Sequence, residues 1–196
     1  MRNYILILIF FFISCTQEQH PKIIVLQPLG SFKTEQAKNV YHKIQTINPN
    51  VVLRANIPFP ENAFYRARNR YRADSIIKTI KNNIGTDSVI VGLSNCDISV
   101  TKGKTKDWGV MGLGYHPGKS CVVSDFRLSK QNKSAQFYKV VLHELGHTEG
   151  LPHCPVKTCL MRDAEGKNHL DEETDFCFKC KKHLIGKGWK LNKSTS

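Results

Sequence analysis

Apolar and polar positions along the chain change period several times, and each change marks an element. Residues 22–30, KIIVLQPLG, form a continuous apolar run ended by Pro28 and Gly30, as in a strand buried on both faces. From 34 to 47, Ala37, Val40, Tyr41, Ile44 and Ile47 recur at helical spacing and predict a helix with one apolar face. A second strand is predicted over 50–57, followed by the proline-marked loop IPFPENAF. Helical spacing returns from about 71 to 84, with Ile76, Ile77, Ile80 and Ile84 inward and Gly85 as the stop. DSVIVGLSNCDIS at 87–99 predicts a third strand, and 108–115 and 120–126 predict two more joined by a turn at 116–119. The segment 134–148 predicts a final helix packing Val141, Leu142 and Leu145 on the sheet. Strands alternating with helices, then a strand pair and a helix, predict an α/β (α+β) fold.

That last helix carries the chemistry. It ends in HELGHTEGLPH, in which His143 and His147 lie four apart on one helical face and Glu144 projects beside them. Gly150 accepts positive φ, so it can end the helix and turn the chain until His153 supplies a third nitrogen. Three imidazoles leave one position open on a tetrahedral zinc, where bound water is acidified and a peptide carbonyl polarised. Glu144 is then the expected general base.

Beyond His153 come Cys154, Cys159 and Met161 in HCPVKTCLM, then Cys177 and Cys180 in FCFKC. With the extended histidine motif, this run resembles the archaemetzincins, metzincin-like zinc peptidases. The resemblance implies a catalytic zinc on His143, His147 and His153, a second, structural zinc on Cys154, Cys159, Cys177 and Cys180, and Met161 in a Met-turn beneath the site. It also implies an upper subdomain (21–150) with a twisted mixed sheet and the active-site helix, and a small zinc-bound lower subdomain (151–196), together one metallopeptidase domain, expected to be a monomer. The spacing between Met161 and the CxxC pair is slightly shorter than the family pattern. On their chemistry alone, four thiolates suit a closed zinc site, while two disulfides are the other reading in an exported chain. Cys96 and Cys121 are left over, as a pair or as separate thiols.

MRNYILILIFFFIS places a basic residue before an apolar run too short to span a bilayer, the form of a signal peptide over 1–14. Ser14 before Cys15 resembles a bacterial lipoprotein box, so Cys15 is expected to carry lipid and residues 15–20 to be a tether holding the protein to a membrane of the cell envelope. Roughly 180 residues remain, enough for one domain with a core. The formal charge of +13 favours acidic partners. Arg66, Arg68, Arg70 and Arg72, interleaved with Tyr65 and Tyr71, read as a solvated face entering a helix, and no nucleic-acid partner is expected of an exported protein.

Two functions follow from this pattern. The first is a zinc-dependent peptidase acting on a peptide or protein; the resemblance to metzincins implies that WGVMGLGY is the sheet edge at the cleft, where Gly109, Gly112 and Gly114 would let the substrate add as a strand. The second is a lipid-anchored, zinc-stabilised binding protein without catalysis, which has no need of Glu144. His116, in the turn after that strand, is expected to be a bystander.

Overall fold

The computed structural model describes residues 22–191, so the predicted signal peptide, Cys15 and tether lie outside the described residues. The chain runs β1 (Ile23–Pro28), α1 (Thr34–Gln45), β2 (Val51–Leu53), β3 (Phe64–Tyr65), β4 (Arg70–Arg72), α2 (Ala73–Ile80), β5 (Ser88–Ser94), β6 (Ile98–Lys102), β7 (Thr105–Val110), β8 (Gly112–Gly114), β9 (Ser120–Ser124), α3 (Lys133–Thr148) and α4 (Phe178–Gly186). The main sheet has the order β2-β1-β5-β9-β8; its strands are parallel except β8, which runs antiparallel to β9 and forms an edge.

The two-residue period of the strands builds both faces. Ile24 and Leu26, Val89 and Val91, and Cys121 and Val123 point to one face, where Val40 and Ile44 of α1 and Phe137, Val141 and Leu145 of α3 cover them. Val25, Ile90 and Val122 point to the other, covered by Ile76, Ile77 and Ile80 of α2. Each of these three isoleucines is at most 2% exposed, and each such burial is worth about 1.5–3 kcal/mol. Leu160, Met161, Phe176, Leu184 and Trp189 of the tail belong to the same core cluster as α1 and α3, so the tail packs on the sheet layer rather than standing apart. No helix among the described residues is long and apolar enough to cross a membrane.

Several expectations are corrected. A second sheet, β3-β4-β6-β7, stands where the sequence pattern predicted a loop, the start of a helix and parts of two strands. The segment 87–99 breaks at Asn95 and Cys96 into β5 and β6, and 108–115 breaks at Met111, with β7 in the second sheet and β8 in the main one. The arginine-rich stretch includes the hairpin strand pair β3–β4, with Arg66 and Arg68 exposed, and leads directly into α2 at Ala73. Arg70 lies 3.1 Å from Asp97 and 3.3 Å from Asp107, and Arg127 forks onto Asp97 at 2.7 and 2.9 Å, so these arginines pin the second sheet to the loop after β9. The helix predicted over 71–84 begins at Ala73, because Tyr71 and Arg72 pair with Ile98 and Ser99 as β4.

Candidate active site

α3 ends as its sequence requires. Gly150 has φ of +92°, the Leu151 N–H donates to the Gly146 carbonyl at 2.9 Å, and the Gly150 N–H donates to His147 at 2.9 Å, a left-handed cap that reverses the chain toward His153. The ligand nitrogens of His143, His147 and His153 all lie within 4.8 Å of one another. Each ring is held from behind. His143 Nδ1–H donates to the Leu160 carbonyl at 2.7 Å, His147 Nδ1–H to the Leu151 carbonyl at 2.8 Å, and His153 Nδ1 lies 3.3 Å from the Asp163 carboxylate. These partners fix the tautomer and leave Nε2 free on the inner side.

Two such nitrogens, on His143 and His147, face each other at 3.1 Å. With both protons on Nδ1, two lone pairs meet with no hydrogen between them, an arrangement that a shared cation resolves. Zinc–nitrogen bonds of about 2.0–2.1 Å in a tetrahedron put neighbouring nitrogens about 3.3 Å apart. The donor set therefore fits zinc. Burial first, and then the neighbouring His147, push the His143 imidazole down to about 3, which keeps it neutral and able to ligate.

Glu144 is buried between α3 and the edge strand. A Cβ added at Gly112 would lie 2.4 Å from Glu144 Oε1, and one at Gly114 would lie 3.1 Å from both the Glu144 carbonyl and Oε2. Glycine here makes room for this carboxylate, and at Gly109 for the Arg127 guanidinium, so the protein's own side chains approach the backbone closely at these positions. Burial pushes the Glu144 carboxyl up to about 8.

Met161 is fully buried under the helix, and a Cβ on Gly146 would lie 2.4 Å from its sulfur, so the methionine fills the hollow between the two helical histidines. Just beyond, the sulfurs of Cys154, Cys159, Cys177 and Cys180 lie within 4.8 Å of one another, with Cys154 and Cys177 at 3.7 Å. A zinc tetrahedron with arms of about 2.3 Å has edges of about 3.8 Å, whereas a disulfide needs about 2.05 Å. All six described cysteines are free thiols, which sets aside the disulfide reading for the four and leaves Cys121 in the core and Cys96 half-buried as separate thiols. N–H groups of Met161 and Cys177 donate to the Cys159 sulfur at 3.5 and 3.3 Å. Burial first pushes the Cys159 thiol up to about 11, and the neighbouring thiols Cys177 and Cys154 add to it, so this cluster needs a cation to hold thiolates together. The two clusters are joined covalently at His153–Cys154 and through Leu160, which follows Cys159 and accepts from His143.

A cavity of about 920 Å³ opens over the histidines, walled by β7 and β8 on one side and by residues 162–170 on the other. Two of its residues escaped the sequence reading: Asp163 lies beside His153, and Glu173 lines the cavity. His116, expected to be a bystander to the metal, also lines it with its ring edge-on to His147 at 5.7 Å between centroids, and is not among the three grouped ligand histidines. Neither Asp163 nor Glu173 carries a motif. Each is brought in by a turn whose path only the fold determines.

The chain matches the model of Peptidase family M54 over residues 27–185. An archaemetzincin of Methanopyrus kandleri is 31% identical over 125 residues, covering 62% of this chain and 69% of that protein. One of Halobacterium salinarum is 28% identical over 172 residues, covering 81% and 96%. The crystal structure of the Methanopyrus kandleri archaemetzincin superposes with a TM-score of 0.70 at 23% identity, covering 84% of this chain and 95% of that one, a likeness of fold.

Proposed function

The chain belongs to peptidase family M54 and is a zinc metallopeptidase, and from that premise we propose that His143, His147 and His153 hold its catalytic zinc while Glu144 acts as general base on a peptide or protein substrate. When bound, zinc supplies a Lewis acid with one open position, where a water reaches a pKa near ~7 and the scissile carbonyl is polarised. Glu144 takes the proton of the attacking water and returns it to the leaving amine. Its burial keeps its proton affinity high enough for that transfer, and a dication nearby draws it back toward ionisation. The exposed edge of β8 offers unpaired backbone groups along the cavity, so the substrate is proposed to lie there as an added strand.

Cys154, Cys159, Cys177 and Cys180 are proposed to hold a second zinc that fixes the tail and the carbonyl of Leu160 behind His143. Export and lipid attachment at Cys15 are part of the same proposal and rest on the amino-terminal pattern alone. The observation that carries the reading is the set of three rings, each held at Nδ1, with their ligand nitrogens gathered beside a buried glutamate. Digestion of a peptide library by the purified protein and by Glu144→Gln tests it. Cleavage lost in the variant with zinc content unchanged is expected; equal cleavage by both removes Glu144 from the mechanism.

A further inference from the structure

The cavity holds a second buried carboxylate, Glu173, that the hydrolytic step does not use. Glu173 lines the cavity, is 3% exposed, and has one carboxylate oxygen, Oε2, buried with no hydrogen-bond partner. A buried carboxylate oxygen without a donor costs free energy unless something supplies one. The nearby cations are engaged elsewhere. Lys139 donates to the backbone carbonyls of Leu170 and Glu173 at 2.5 and 2.6 Å, and Arg162 turns to Glu172 at 2.7 Å. Those bonds, with Asn168 donating to Gln136 on α3 at 3.0 Å, fasten the 168–173 turn to the active-site helix and hold Glu173 in place. Val140, one turn before His143, and Leu170 also line the cavity and are apolar.

A cavity lining that combines apolar side chains with an unpartnered buried carboxylate matches a side chain with an aliphatic stem and a cationic head. We infer that Glu173 makes the cavity a recognition site for a lysine or arginine side chain of the substrate, next to the bond that is cleaved. The inference rests on the peptidase reading for the cleavage but not for the binding. The head group supplies the missing donor to Glu173, and the stem covers Val140 and Leu170. Burial pushes the Glu173 carboxyl up to about 7, with Lys139 and Arg162 drawing it back down, so at neutral pH it is poised to ionise when a cation arrives.

The test uses the zinc-loaded full chain in detergent with matched peptides carrying lysine, arginine, norleucine or glutamate at each position flanking the bond. Lysine and arginine are expected to exceed norleucine by about tenfold or more in kcat/KM at one flanking position, and Glu173→Gln, an isosteric change, is expected to erase that preference while zinc content and cleavage of the norleucine peptide stay near wild type. In parallel, the affinity of zinc-loaded Glu144→Gln for lysine and norleucine peptides is read by fluorescence anisotropy, with and without Glu173→Gln. No preference for a basic side chain at either position, or a preference kept in Glu173→Gln, overturns the inference. If the wild type cleaves nothing, the peptidase reading fails and the binding arm decides: lysine bound about tenfold tighter through Glu173 upholds the recognition site, and equal binding overturns it.

Discussion

Replacing Gly112 by alanine isolates the contact on which Glu144 depends. Gly112 does not occupy the left-handed region, so alanine brings no backbone strain there; it brings one methyl group 2.4 Å from Glu144 Oε1, 2.7 Å from Cγ and 2.8 Å from Cδ. Ordinary contact begins at 3.4 Å, so one partner must move by about 1 Å. α3 is anchored on the sheet by Phe137, Val141 and Leu145, whereas β8 is a three-residue edge strand paired on one side only. Either the carboxylate swings off its rotamer, at about 0.5–1.5 kcal/mol, or β8 gives way and the substrate edge shifts with it. A displacement of that size at a catalytic group lowers the rate by about a hundredfold. Steady-state kinetics with zinc analysis and a thermal melt are the assay. The expected result is kcat reduced by about 30- to 300-fold, zinc content unchanged and a small loss of stability. Wild-type kcat in Gly112→Ala would refute the claim that this glycine exists to admit Glu144.

Other outcomes follow from the same geometry. Asp163→Ala removes the carboxylate beside His153 Nδ1, and competition with a chelator is expected to show zinc held about 10- to 100-fold more weakly; equal affinity would remove Asp163 from the site. Cys159→Ser opens the sulfur cage and loosens Leu160 behind His143, so the melting temperature and peptidase activity are expected to fall together, and a stable, fully active variant contradicts the link between the clusters. Glu173 gives a pH signature. Its folded value is raised from the ordinary 4.5 to about 7, so between these pH values the folded chain keeps a proton that the unfolded chain has released, and stability falls as pH rises through that window. Facing it are Lys139 from α3 and Arg162 and Glu172 from the tail. Urea midpoints at pH 5 and pH 8 are expected to show a smaller drop in Glu173→Gln than in wild type; identical drops would assign the slope to other groups.

The parts legible in the sequence were those with a repeating signal. The parallel strands read as apolar runs because both faces are covered, α1 and α2 read from their isoleucine and alanine spacing, and the HExxH helix with its glycine stop needed no tertiary information. The second sheet was hidden because its strands are short and polar: β4 is Arg70–Arg72, and its pairing with β6 is stabilised by arginines meeting Asp97 and Asp107 from distant positions. β7 and β8 ran together in the sequence because only a single bend at Met111, with no turn motif, separates them. The glycines of that segment were noticed for close approach, and the structure adds Glu144 and Arg127 as neighbours that the sequence did not show. Asp163 and Glu173 could not be found from spacing, since each reaches the cavity from a turn placed by tertiary packing.

The central claim is that two separate centres, one of three imidazoles and one of four thiolates, each hold a zinc and that only the first works in catalysis. Zinc stoichiometry of the purified wild type beside His147→Ala tests it most directly. The account predicts two zinc ions per chain in the wild type and one in the variant, which stays folded through its cysteine cage and cleaves no peptide. A wild type binding no zinc, or a His147→Ala protein that keeps both ions and its activity, would contradict it.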